Sequence, residues 1–105
     1  MRILLAEDDL TLLSLFERAL GRRGWEVHSV ADASAVVQAI AAGPFDAVVA
    51  DQSILAQLSC PLAGPLLVLS GLPYEPDRPN AAFLQKPFTL DTLVAAVEKL
   101  VSDSG

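Results

Sequence analysis

The chain of 105 residues has little of what marks specialised chemistry. Its one cysteine, Cys60, cannot form an internal disulfide, and a reducing, cytoplasmic setting is expected. A thiol nucleophile needs a paired base, and none accompanies Cys60, which reads as a small buried apolar residue. The one histidine, His28, has no ligand cluster around it and reads as a solvated strand residue. Basic residues are scarce, 7 against 13 acids, for a net charge of −6. That argues against a nucleic-acid surface, which would need a basic patch. No apolar run approaches membrane-spanning length. The opening Met1-Arg2-Ile3-Leu4-Leu5-Ala6 turns acidic at once, unlike a signal peptide.

What the chain does have is apolar residues, 52% of the total, enough for one packed core and too many for disorder. They fall in short runs. Phe45 to Asp51 follows the breaker Gly43-Pro44 and is apolar on both alternating faces, as suits the middle of a parallel sheet. Arg2 to Ala6 is a second such run, ending in Glu7-Asp8-Asp9. Leu66 to Ser70 and Ala82 to Gln85 are two more. Trp25 to Val30 is more polar and belongs at an edge. Between the runs lie helical patterns. Leu12, Leu13, Phe16, Ala19 and Leu20 follow the cap Asp9 and stop at Arg22-Arg23-Gly24. Val36, Val37 and Ile40 follow Asp32 or Ser34. Leu93, Val94, Val97, Leu100 and Val101 follow Thr89, with residues 102–105 expected to fray. Strands alternating with helices make a parallel, doubly wound α/β sheet in a single domain, 1–105.

Parallel strands gather their carboxyl ends along one edge, where open α/β sheets bind ligands. Glu7 and Asp8, Asp51, Ser70 and Lys86 all stand at such ends. Each alone would be an ordinary wet strand end. Together, three carboxylates and one ammonium carry about −2, and a hard divalent cation with an oxygen shell would relieve the repulsion. Asp51 could then act as a nucleophile toward a phosphoryl group, with Ser70 and Lys86 holding its oxygens.

On these residues the chain resembles the receiver domain of bacterial two-component response regulators. The motifs are Leu5-Ala6-Glu7-Asp8-Asp9, Val48-Val49-Ala50-Asp51, Val68-Leu69-Ser70-Gly71 and Phe83-Leu84-Gln85-Lys86-Pro87-Phe88. The resemblance spans essentially the whole chain. It implies a flavodoxin-like, chemotaxis-receiver-like sheet of five strands in the order 2-1-3-4-5. It implies Asp51 as phosphoacceptor and a Mg2+ site built from Asp8, Glu7, Asp51 and the backbone carbonyl of Ser53, with Asp8 touching the ion directly. Lys86 would bind phosphate, Ser70 and Phe83 would form the switch, and Lys86-Pro87 would be cis. The implied phosphodonor is a histidine kinase or histidine phosphotransfer protein, with a downstream protein partner. The implied role is signalling, not enzymatic turnover of a substrate.

The chain departs from that pattern in two places. Only 18 residues separate Asp51 from Ser70, near the minimum of about a dozen for a crossover with a helix. One or two helical turns around Ile54 to Ser59 are expected there. Between Ser70 and Lys86, Pro73, Pro76 and Pro79 forbid an ordinary helix, so a loop is expected in place of the fourth. Sheet surface left bare would favour a partner or a homodimer. The alternative is a degenerate receiver, a phosphorylation-independent interaction or dimerisation module. An aspartate-nucleophile phosphohydrolase is disfavoured because it needs a second acid where Ser53 stands. Flavin binding is disfavoured because Glu7-Asp8-Asp9 replaces a phosphate loop after the first run. No output domain or linker is apparent, so the domain is expected either to stand alone or to be part of a longer protein.

Overall fold

The computed structural model describes residues 1–59, 62–76 and 78–104; Cys60, and the expectation that it fills apolar space, lies outside the described residues. Five strands form, β1 (Arg2–Ala6), β2 (Glu26–Val30), β3 (Ala47–Asp51), β4 (Leu66–Ser70) and β5 (Ala81–Gln85). They alternate with α1 (Leu10–Arg22), α2 (Ala33–Ala42), α3 (Gln52–Leu55) and, after β5, α4 (Leu90–Ser104). All neighbouring strands pair in parallel, in the flavodoxin-like order β2-β1-β3-β4-β5.

The central strands are buried on both faces because successive side chains point to opposite sides. Ile3, Leu5, Val49, Leu67 and Leu69 pack on one face against Phe16, Leu20, Leu93 and Val97 of α1 and α4. Leu4, Ala6, Val48 and Ala50 pack on the other against Val36 and Ala39 of α2 and Ile54 of α3. The more polar β2 lies at an edge, with His28 exposed.

The helices start where short polar side chains satisfy their free amides. Asp9 accepts from the amides of Thr11 and Leu12, Asp32 from that of Ala35, and Thr89 Oγ1 from that of Thr92. Several boundaries differ from expectation: β2 starts at Glu26 rather than Trp25, β5 at Ala81 rather than Ala82, and α3 ends at Leu55 rather than Ser59. The strand β3 begins at Ala47; just before it, the Arg2 amide donates to Asp46 Oδ2 and the Arg2 guanidinium lies over the Phe45 ring. The short helix α3 starts at Gln52, two residues early, because Asp51 caps it. The final helix continues to Ser104, through polar residues that the apolar spacing does not mark.

Among the described residues no helix forms between β4 and β5. Val68, on the face from which that helix is missing, is nonetheless fully buried. Described residues of the connection between β4 and β5, Tyr74 and Arg78, make contacts here. Tyr74 packs on Phe83 with ring centroids 6.1 Å apart. The Arg78 guanidinium donates to the Leu62 carbonyl and, at 2.7 Å, to the Gly64 carbonyl. Arg78 therefore stitches the two shortened crossovers together. Gly64 takes φ +83, a backbone conformation that disfavours any side chain.

Removing this fork should leave two carbonyls without partners. Arg78→Met is expected to lower unfolding free energy by about 2 kcal/mol. Urea denaturation followed by circular dichroism measures this, and an unchanged midpoint would contradict it.

Candidate functional site

The carboxyl edge of the sheet brings together Glu7 after β1, Asp51 at the end of β3 and Lys86 after β5. Lys86 Nζ donates to Glu7 Oε1 at 2.6 Å and to Asp51 Oδ1 at 2.7 Å. Glu7 is fully buried and Asp51 nearly so, whereas the Lys86 side chain keeps 22% of its surface exposed. The other oxygens are also engaged. Glu7 Oε2 accepts from the Asp9 amide at 3.1 Å. Asp51 Oδ2 accepts from the Ser53 amide at 3.0 Å and from the Ser53 hydroxyl. Asp8 is exposed, and its Oδ2 lies 3.3 Å from Ser53 Oγ. Glu7, Asp8 and Asp51 each offer a carboxylate oxygen, all within 4.8 Å of one another.

Two expected members stand differently. The Ser70 hydroxyl accepts from the amide of Leu72 at 3.1 Å, within its own loop. Strand alternation explains this: Ser70 is in phase with Val68, on the side of the 71–80 connection, whereas Asp51 is in phase with Val49 on the opposite face. The Ser53 carbonyl accepts from Gln57 Nε2 at 3.1 Å, and a carbonyl oxygen keeps a second lone pair. Phe83 is half-buried in β5, against Tyr74. The Lys86-Pro87 peptide is cis, as the resemblance implies. The role of the Ser53 hydroxyl was not foreseen from the sequence. A strand-end aspartate with serine two residues on, just before a helix, is the pattern that would have indicated it.

The three charges settle differently. Burial pushes the Glu7 carboxyl above its ordinary 4.5, and Lys86 only partly offsets this. Burial acts on Asp51 in the same direction, but hydrogen bonds from Lys86 and Ser53 outweigh it and hold the carboxyl below 3.8. Burial disfavours the Lys86 ammonium, but Asp51 and Glu7 outweigh it and raise the amine above 10.5. The signs follow by linkage. Asp51 stabilises the fold above pH 3.8 and loses this as pH falls. Lys86 stabilises it in full below pH 10.5 and loses this as pH rises. Glu7 is the reverse of Asp51: its ionisation costs stability as pH rises from 4.5. Glu7→Gln is therefore expected to stabilise the metal-free protein at pH 7, with the gain vanishing near pH 4.5. Lys86→Met is expected to destabilise it at pH 7 by about 2 kcal/mol, since it strands two buried acids. Urea unfolding of both variants between pH 4 and 8 checks these signs; a destabilised Glu7→Gln at pH 7 would contradict them.

No family model matches the chain. It is 33% identical over 115 residues to the transcriptional regulatory protein TcrA of Mycobacterium tuberculosis. That match takes in 95% of this chain and 46% of TcrA, so the chain spans about half the length of this relative. The receiver domain of the hybrid histidine kinase CckA is 26% identical, with a TM-score of 0.73 over 96% of this chain and 99% of that one. A response regulator receiver protein from Sinorhizobium medicae reaches a TM-score of 0.78 at 24% identity, over 100% of this chain and 97% of its own, and speaks to the fold alone. No helix among the described residues is long and apolar enough to cross a membrane. The two structures are those of receiver proteins, and the sequence relative is a transcriptional regulatory protein. In fold and in sequence the chain is a receiver domain of the two-component response-regulator kind, built with shortened third and fourth crossovers.

Proposed function

We propose that this domain accepts a phosphoryl group on Asp51 in a Mg2+-dependent reaction and signals through protein–protein contacts. One observation carries the reading: Asp51, from the middle of the sheet, shares the Lys86 ammonium with Glu7 while Asp8 stands open beside it. The donor set fits a hard divalent ion. It is all oxygen, and one ammonium does not neutralise three carboxylates. Asp8 is the open ligand, because both Glu7 oxygens already carry hydrogen bonds. Asp51 and the Ser53 carbonyl would complete the protein's share, with Glu7 holding the group together from behind. When bound there, Mg2+ would supply positive charge against the clustered carboxylates and the oxygens of the transferred group.

An Asp51 oxygen forms the new bond to phosphorus as the bond to the donor breaks, and that electron pair leaves with the donor. Both Asp51 oxygens are hydrogen-bonded beforehand, so the attacking one must shed a partner. The Ser53 hydroxyl is suited to leave, since Asp8 stands within reach as a second acceptor. Lys86 keeps its proton and steadies the negative charge. Ser70 and Phe83 then form the switch. The donor would be a histidine kinase or histidine phosphotransfer protein; a downstream protein or a second copy of the chain would read the result in a cytoplasmic setting.

Incubation with Mg2+ and acetyl phosphate, followed by intact-mass measurement, tests this. The expected result is a gain of one phosphoryl group, abolished in Asp51→Ala and reduced in Lys86→Ala. No gain would overturn the acceptor reading in favour of a phosphorylation-independent interaction module, the role that the missing fourth helix favours.

A further inference from the structure

Helices α1 and α4 pack together and leave an open groove of about 320 Å3 between them, lined by none of the site residues. Its floor is apolar, formed by Ala19 of α1 and by Leu90 and Val94 of α4. Leu15 stands one turn before Ala19 on the same flank of α1 and is 41% exposed, so it extends that floor. Arg23 Nε donates to Glu98 Oε1 at 2.9 Å and ties the two walls together. Arg22 and Asp91 also line the groove, both exposed, and neither has an ion-pair partner among the described residues.

Charge decides what this face can meet. The chain carries −6, yet α1 with its cap and α4 are balanced: Arg18, Arg22, Arg23 and Lys99 stand against Glu17, Asp91, Glu98 and Asp103. The whole excess of acid therefore lies elsewhere, where the cations are already engaged: Arg2 by Glu26, Lys86 by two acids, Arg78 by backbone carbonyls. An acidic face would repel its own copy; a balanced one does not. A partner of a single sign would meet like charge at Asp91 or at Arg22. A second copy brings both signs.

We propose that the α1–α4 groove is an interface between two copies of this chain, related by a twofold axis. In such a contact one residue meets another and is met by it in return. Arg22 faces the partner's Asp91, Asp91 faces the partner's Arg22, and the apolar floors close against each other. The contact needs no phosphoryl group and stands apart from the acceptor reading. Phe16 of α1 stacks on Phe88 with ring centroids 5.3 Å apart, so the interface helices are joined to the turn that carries Lys86.

Sedimentation equilibrium of the full chain, without Mg2+ or phosphodonor and at concentrations up to about 1 mM, tests this. Wild type is expected to dimerise. Arg22→Asp alone, or Asp91→Arg alone, should raise the dissociation constant about tenfold, because each sets like charges together at both contacts. An equimolar mixture of the two variants should dimerise as tightly as wild type, since each supplies the charge that the other lacks. Circular dichroism checks that both variants are folded. A monomer at every concentration overturns the proposal. So does a dimer indifferent to both substitutions, or a mixture no tighter than the single variants. Phosphoryl gain, scored separately by intact mass, decides the acceptor reading and leaves this result untouched.

Discussion

A single ammonium between two buried carboxylates holds the carboxyl edge of the sheet together. Lys86 reaches Glu7 and Asp51 from the far side of the sheet, and both contacts are short. Without that cation, two acids would sit in low dielectric with nothing to offset them. With it, the acids divide their roles. Glu7 is the deeper and less willing to ionise; Asp51, bonded also by Ser53, stays a carboxylate. The nucleophile of the proposed reaction is thus the acid that the fold keeps charged. Asp8, outside this arrangement and exposed, is left open to a ligand.

The rest of the architecture serves this edge while economising on crossovers. The face formed with α1 and α4 is covered by long amphipathic helices. The other face has α2 and the four-residue α3, with Tyr74 packed on Phe83 of β5. A short helix and a proline-bearing loop cover less surface than two full helices, and the Arg78 fork compensates by joining them. Ser70 is in phase with Val68 on the second face, while Asp51 is in phase with Val49 on the first.

Much of this was legible in the residues. Apolar runs of alternating phase define strands buried on both sides, and Asp9, Asp32 and Thr89 announce their helices through capping chemistry. The convergence of Asp8, Glu7, Asp51 and Lys86 follows from parallel strands, which place equivalent ends on one edge. What the sequence hid was of two kinds. Some side chains serve two neighbours at once: Asp51 is strand end, helix cap and candidate nucleophile, and this moved α3 forward. Other contacts end on backbone carbonyls, as with Arg78 on Leu62 and Gly64, and a carbonyl leaves no mark in residue identity. The extension of α4 through Ser102 and Asp103 is a third case, because polar residues on a helix end carry no apolar period.

The unequal ionisation of the two buried acids is the central claim, and carboxyl carbon NMR during a pH titration of the metal-free protein reads it directly. The account predicts that Glu7 titrates above 4.5 and Asp51 below 3.8. Asp51 titrating above Glu7, or both carboxyls at their ordinary values, would contradict it.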